Sequence, residues 1–239
     1  MMFEETITIA PRFNGPPDSG NGGYVCGLVG QQVSLAGPLP HAAEVTLRMP
    51  PPLGKPLRLE VRREGVRLLS GEHLIADGKP ALLEMEVPES PDFFEATEAA
   101  KRYRGFAEHF FPDCFVCGPN RDTGDGLRIF AGPVGEGLVA APWVPDDSLT
   151  SFGATVAEEF CWAAIDCPGH FAATEEHLPV VLGRMTCAVT GTVRSGERCV
   201  VIGWPLGRDG RKFFAGTALF NEDGRCIARS RQVWVQLRS

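Results

Sequence analysis

Several things are scarce in this chain of 239 residues, and each scarcity excludes something. Long apolar runs are missing. No stretch reaches the roughly 18 to 20 apolar residues that cross a bilayer as a helix. Excess positive charge is missing too. The formal net charge is -7, which argues against a general nucleic-acid or membrane-surface binder, since both require a basic face. The start, MMFEETITIAPRF, is acidic and alternating. It lacks the basic opening and apolar core of a secretory signal, so a cytoplasmic chain is expected. There is no Gly-x-Ser-x-Gly elbow for a nucleophilic serine and no glycine-rich phosphate loop.

What is present is ordinary for a globular chain: 44% hydrophobic and 22% charged residues. The 28 glycines and 20 prolines announce many tight turns. The eight cysteines are Cys26, Cys114, Cys117, Cys161, Cys167, Cys187, Cys199 and Cys226. Five lie in apolar, strand-like or helix-like segments, as buried free thiols do, and no disulfide framework is expected in a reducing compartment.

Two β-rich stretches dominate. The first runs over residues 44–87 as AEVTLRM, LRLEVRRE, VRLLSGEHLIA and ALLEMEV, separated by PPPLGKP, REG and ADGKP. The second runs over residues 179–237 as VVLGRMTCAVTGTV, RCVVIGWPL, KFFAGTALFN and CIARSRQVWVQL. Asp-Gly followed by a basic residue, a hairpin signal, occurs at Asp77-Gly78-Lys79, Asp209-Gly210-Arg211 and Asp223-Gly224-Arg225. A helix is expected before each stretch. The first, residues 22–33, has small apolar residues, so something must pack close to it. The second, residues 155–167, is expected to end at Pro168-Gly169.

The two halves overlay in order: helix, long strand, a hairpin at Gly65 or Gly207, a strand carrying Gly71 or Gly216, a tight turn at Gly78 or Gly224, and a last strand. Matching order is the mark of a duplicated unit. One helix followed by four or five antiparallel strands packs by curling the sheet around the helix. Two such units can join edge strands and so protect them. The expected architecture is α+β, with an N-terminal unit at 1–89, a connector at 90–126 and a C-terminal unit at 127–239.

This arrangement resembles the hotdog fold, and in tandem the double-hotdog acyl-CoA thioesterases. Phe13-Asn14-Gly15-Pro16 followed by Gly22-Gly23-Tyr24 is similar to the F-x-G…GG lead-in to the first helix of the acyl-CoA thioesterase II group. Leu182-Gly183-Arg184-Met185-Thr186 is similar to the strand after the helix in many hotdog proteins, and the hairpin from Phe214 to Val235 to their last one. The resemblance covers roughly residues 3–87 and 127–237. The Cys-x-x-Cys-Gly-Pro connector resembles that of an uncharacterised thioesterase-like group.

The resemblance implies an acyl-CoA or other thioester substrate, a helix carboxylate as base or nucleophile, and helix N-terminal N–H groups that polarise the carbonyl. The first helix has no acidic residue, whereas the second carries Glu158, Glu159 and Asp166. Asp166, in an apolar run, is the first choice, because burial raises a carboxylate's pKa and makes it a better base. It corresponds by resemblance to the helix aspartate of the acyl-CoA thioesterase II group. Glu159, seven residues earlier and two turns away, is the second choice. A plain structural role for Asp166 near Pro168-Gly169, and a helix-dipole role for the two glutamates, are the alternatives. Gly22 and Gly23 are the candidate oxyanion donors. Asn14, Tyr24, Arg121 and Arg184 are the candidate substrate contacts, with Arg128 a further candidate for coenzyme A phosphates. An ordinary solvated arginine is the alternative for each.

Cys114 and Cys117 have metal-ligand spacing, and His109 is a nearby third candidate, but one Cys-x-x-Cys is half a zinc site. The expectation is structural cysteine, with no metal and no cofactor. His109, His170 and His177 are expected in loops. The aromatic connector (Phe93, Phe94, Tyr103, Phe106, Phe110, Phe111, Phe115) reads as packing over a core more than as an acyl tunnel. Two rivals to hydrolysis stay open: an acyl-CoA dehydratase or hydratase, which needs a histidine with an aspartate, and a non-catalytic acyl-CoA-binding protein. A homodimer or higher homo-oligomer is allowed.

Overall fold

A computed structural model describes residues 3–34, 42–135, 137–174 and 178–238. His177 lies outside the described residues. The first part contributes β1 (Phe3–Thr8), α1 (Gly22–Ser34), β2 (Ala42–Leu47), β3 (Pro56–Arg62), β4 (Gly65–Ser70) and β5 (His73–Ala81). Then come α2 (Phe93–Ala100), β6 (Gly132–Gly135), β7 (Leu138–Trp143) and a small hairpin of β8 (Thr150–Phe152) and β9 (Thr155–Val156). The chain ends with α3 (Glu158–Ala164), α4 (Cys167–Ala173), β10 (Val180–Val189), β11 (Cys199–Asp209), β12 (Lys212–Phe220) and β13 (Cys226–Gln236). No described helix is long and apolar enough to cross a membrane.

Among the described residues, eleven strands form one antiparallel sheet in the order β1-β3-β4-β5-β2-β10-β13-β12-β11-β7-β6. The order is a mirror: β1-β3-β4-β5-β2 on one side answers β7-β11-β12-β13-β10 on the other, with β6 an extra edge strand. The seam is β2 against β10, with Val45 opposite Met185 and Glu44 opposite Thr186. Joining there hides two edges that would otherwise present unpaired backbone groups. α1 packs on β2, β4 and β5, while α4 packs on β11 and β12. The helices also pack on each other, α1 against α3.

Strand β11 is buried at every residue from Cys199 to Trp204. Its inner face meets α4. Its outer face joins Ala96 of α2, Ala140, Ala218 and Phe220 in a separate apolar cluster. A strand covered on both faces needs no alternation, which explains the continuous run CVVIGW.

Four expectations about turns and ends need correction. Asp77-Gly78-Lys79 is not a turn but lies within β5. Gly78 faces α1, and a Cβ there would lie 2.7 Å from Val29 Cγ1, so the glycine admits the helix. The β4–β5 turn is at Gly71, with φ +57°, and answers Gly224, with φ +74°. Gly207 lies within β11, where the register with β12 shifts between Pro205 and Gly207. The β11–β12 turn is at Gly210. The segment ALLEMEV is not a strand beyond Ala81.

The second helix does not run from 155 to 167 either. Residues Thr155–Val156 are β9, and the helix breaks after Ala164 to restart at Cys167. Pro168 is the cause. It has no N–H to give to the Ala164 carbonyl, and its ring clashes with that carbonyl in a continuous helix. In the first turn of a new helix it is tolerated, and that is where it sits.

Candidate active site

The site is built where α1 crosses the broken helix. Three glycines of α1, Gly23, Gly27 and Gly30, lie along one helix face at spacings of four and three. They meet Asp166, Glu159 and Trp162 respectively. A Cβ on Gly27 would lie 2.6 Å from the Glu159 Cα, and one on Gly23 would overlap the Asp166 side chain. The small residues of α1 therefore exist so that the backbones can touch.

That contact buries Asp166, which is 2% exposed. Its Oδ2 accepts a hydrogen bond from the Asn21 Nδ2 at 2.8 Å and from the Gly23 N–H at 3.0 Å. Asn21 also caps α1, its Oδ1 accepting from the Tyr24 N–H at 2.9 Å. One asparagine thus fixes both the helix start and the carboxylate. Asp166 Oδ1, equally buried, has no hydrogen-bond partner among the described residues. Burial is the main cause that pushes the Asp166 pKa up, to about 7. The Gly23 N–H and the Asn21 amide work in the opposite direction.

The break itself is held by Gln232 on β13, which is fully buried. Its Nε2 donates to the Ile165 carbonyl at 2.6 Å, and its Oε1 accepts from Trp234 Nε1 at 2.8 Å. A carbonyl freed by the end of α3 is thereby satisfied.

Asp166 lines a cavity of about 520 Å³ that draws walls from both halves: Asn21 and Gly22 of the α1 start, Leu182 of β10, Trp234 of β13, and Phe111 of the connector. Its lining is mostly apolar with a few converging polar groups, the character of a small-molecule site. Arg48, Arg104, His109 and His170 also line it.

Of the sequence candidates, the cavity gathers Asp166, Gly22 and neighbours of Gly23, but not the rest. Gly23 spends its N–H on Asp166. Glu159 is not among the lining residues. Its backbone is pressed on Gly27 and its charge acts on Tyr24, while burial pushes its own pKa up. The helix break removes the shared face that a spacing of seven implied.

The four candidate substrate contacts lie elsewhere as well. Tyr24 is buried, stacked on Phe13 at 4.3 Å. Asn14 accepts from Arg121, and Arg121 also holds Asp125 at 2.6 Å and the Asp113 and Arg12 carbonyls. These bonds pin the connector to the segment before α1. Arg184 is exposed on β10, donating to Thr46 Oγ1. Arg128 donates to the Arg121 carbonyl. The cations at the cavity are Arg48 and Arg104 instead. Burial pulls the Arg104 pKa down, and its guanidinium donates to the Thr174 carbonyl and hydroxyl.

Three residues at or around the site escaped the sequence reading. Asn21, directly before Gly22-Gly23, carries a readable signal, since asparagine is a preferred N-cap. His170 was expected in a loop but lies on α4, four residues after Asp166. Cys167 and its relation to Cys114 had no local signal. The connector aromatics divide: Tyr103 and Phe115 are buried, Phe94 and Phe106 are exposed, and Phe110 and Phe111 line the cavity.

No protein-family model and no curated protein sequence matches the chain. Solved structures do. A tesB protein from Mycobacterium avium subsp. paratuberculosis aligns over 99% of this chain and 94% of its own, with a TM-score of 0.64 and 13% identity. A proposed thioesterase from Novosphingobium aromaticivorans aligns over 99% and 96%, with a TM-score of 0.62 and 14% identity. The fold is a double hotdog. At these identities the likeness establishes the architecture and nothing finer, and the double hotdog places its two central helices in contact at the cavity described above.

Proposed function

We propose that this double hotdog is a thioester hydrolase acting on an acyl-CoA or a similar thioester, with Asp166 as its base. The observation that carries the reading is the Asp166 carboxylate: buried, anchored through Oδ2, with Oδ1 without a partner among the described residues, at the wall of a largely apolar cavity. The likeness to a tesB protein and to a proposed thioesterase supports the same class.

In this reading the acyl chain lies in the apolar part of the cavity. Asp166 Oδ1 takes a proton from a water molecule as the water oxygen attacks the thioester carbonyl carbon. The tetrahedral intermediate collapses by breaking the C–S bond. The leaving thiolate recovers the proton from Asp166, giving a carboxylic acid and a thiol. A carboxylate held near neutrality by burial suits both the uptake and the return. Gly22, at the α1 N-terminus and on the cavity wall, is the proposed oxyanion donor, with the helix dipole favouring charge there. Arg104 and Arg48, the latter paired with Asp77, line the cavity and are the proposed contacts for anionic parts of the substrate.

His170 favours a second reading. It lines the same cavity on the same broken helix as Asp166, so a histidine and an aspartate are both present, as addition of water to an enoyl thioester requires.

Steady-state assays with saturated acyl-CoA and enoyl-CoA panels separate the readings. Hydrolysis releases free thiol, hydration consumes the enoyl absorbance, and a binding protein does neither. Asp166→Asn is expected to lower kcat for hydrolysis by roughly 10²–10⁴-fold with KM little changed. Wild-type turnover in that variant overturns the assignment.

A further inference from the structure

The connector turn Cys114-Phe115-Val116-Cys117-Gly118 is organised around sulfur. The Gly118 N–H donates to the Cys114 carbonyl at 2.9 Å. A Cβ on Gly118 would stand 2.5 Å from the Cys114 nitrogen and the Pro112 oxygen, so only glycine closes the turn.

A pair of cysteines is half a site, and the fold supplies more. Cys167, the first residue of α4, reaches the turn from 53 positions along the chain, its sulfur 3.8 Å from that of Cys114. All three sulfurs lie within 4.8 Å of one another and are buried. Tetrahedral zinc with Zn–S bonds of about 2.3 Å requires sulfur–sulfur separations of about 3.8 Å. His109 sits beside them, its Nε2 3.4 Å from Cys117 Sγ. Its Nδ1 accepts the Phe111 N–H at 3.0 Å, which assigns the ring proton to Nε2. His109 is therefore a donor to a ligand sulfur, of the kind that supports metal sites from outside.

We propose that Cys114, Cys117 and Cys167 form a three-thiolate site for zinc or a similarly thiophilic divalent cation, fastening the connector to the α3–α4 break next to Asp166. All three residues line the cavity, so the fourth position opens towards it and is filled by water. Binding displaces the thiol protons to solvent and forms three metal–sulfur bonds, with no change of oxidation state. The proposal departs from the sequence expectation of plain structural cysteines. It does not depend on which reaction the cavity supports, because its readout is the metal.

The test uses the full chain, produced with zinc in the medium and purified under reduction without chelator. Elemental analysis is expected to give one zinc per chain. Cys114→Ser, Cys117→Ser and Cys167→Ser each lose it, while Cys226→Ser, a half-buried thiol on β13, keeps it. Should the serine variants fail to fold, cobalt replacement in the wild-type chain decides. Thiolate-to-cobalt charge-transfer absorption with an intensity near that of three thiolates supports the site. Zinc well below stoichiometry together with no thiolate–cobalt band overturns it, as does a Cys167→Ser chain that retains full zinc.

Discussion

At the scale of single residues, the site shows how burial and capping set the state of a carboxylate. Asp166 is kept by two donors on one oxygen and, among the described residues, by none on the other. Glu158, at the start of α3, shows the same competition in a milder form. Burial is the largest cause raising its pKa, the nearby Glu159 adds, and the Trp162 Nε1–H, 3.3 Å from its Oε1, opposes. A raised pKa in an acid means the folded chain holds the proton more tightly than the unfolded one. Stability then falls as pH rises from the ordinary value of 4.5 through the raised folded value, and is not affected below both. Glu158→Gln keeps an acceptor for Trp162 and removes the buried charge. It is expected to raise Tm at pH 7 and leave it unchanged at pH 4 in thermal melts. An equal shift at both pH values would assign the effect to something other than charge.

At the scale of elements, the decisive contact is α1 against α3. The glycine face of α1 was legible as a demand for close packing, though not its partner. The extent of α1 and the presence of the last four strands also follow from turn chemistry and β-forming runs, although β10 stops earlier, at Val189, and β11 runs on through Gly207 to Asp209. Gly78 did not, because an Asp-Gly-Lys triplet reads locally as a turn while the helix above it requires a missing side chain. The break at Pro168 was legible as a helix end but not as a restart. Exposed glycines within helices gain about 1 kcal/mol on becoming alanine. At Gly27 the sign reverses, since the new Cβ meets the Glu159 backbone, which has no rotamer to escape into. Gly27→Ala is expected to destabilise by about 1–3 kcal/mol, lowering Tm by roughly 2–12 °C for a chain of this size. A raised Tm would show that the helices can separate freely.

At the scale of the whole molecule, the mirror order of strands makes the two halves share one sheet and one cavity. The β2–β10 seam carries that union, with Met185 fully buried opposite Val45. Met185→Ala is expected to cost about 2–5 kcal/mol, and calorimetry is expected to show one transition moved down in temperature. Two resolved transitions would mean that the halves unfold separately. The division of labour also belongs to this scale. The first half lends Asn21 and Gly22 to the cavity wall and the Gly23 N–H to the carboxylate, the second lends Asp166, and the cavity lies where they meet.

That a central helix precedes a β-rich run in each half, the glycine-rich character of α1 and the grouping of Glu158, Glu159 and Asp166 in the second half were set by the sequence alone, because turn residues, β-forming runs and side-chain size act locally, whereas the strands that precede the helices, β1 and β7, and the connector helix α2 came only with the structure. Which carboxylate reaches the cavity, which arginines flank it and which cysteine joins the connector pair were decided only by tertiary structure. Asp166 and Gly23 are 143 positions apart, and Cys114 and Cys167 are 53 apart. Contacts at such separations are fixed by how the sheet curls and where the helix breaks, and no local pattern encodes them.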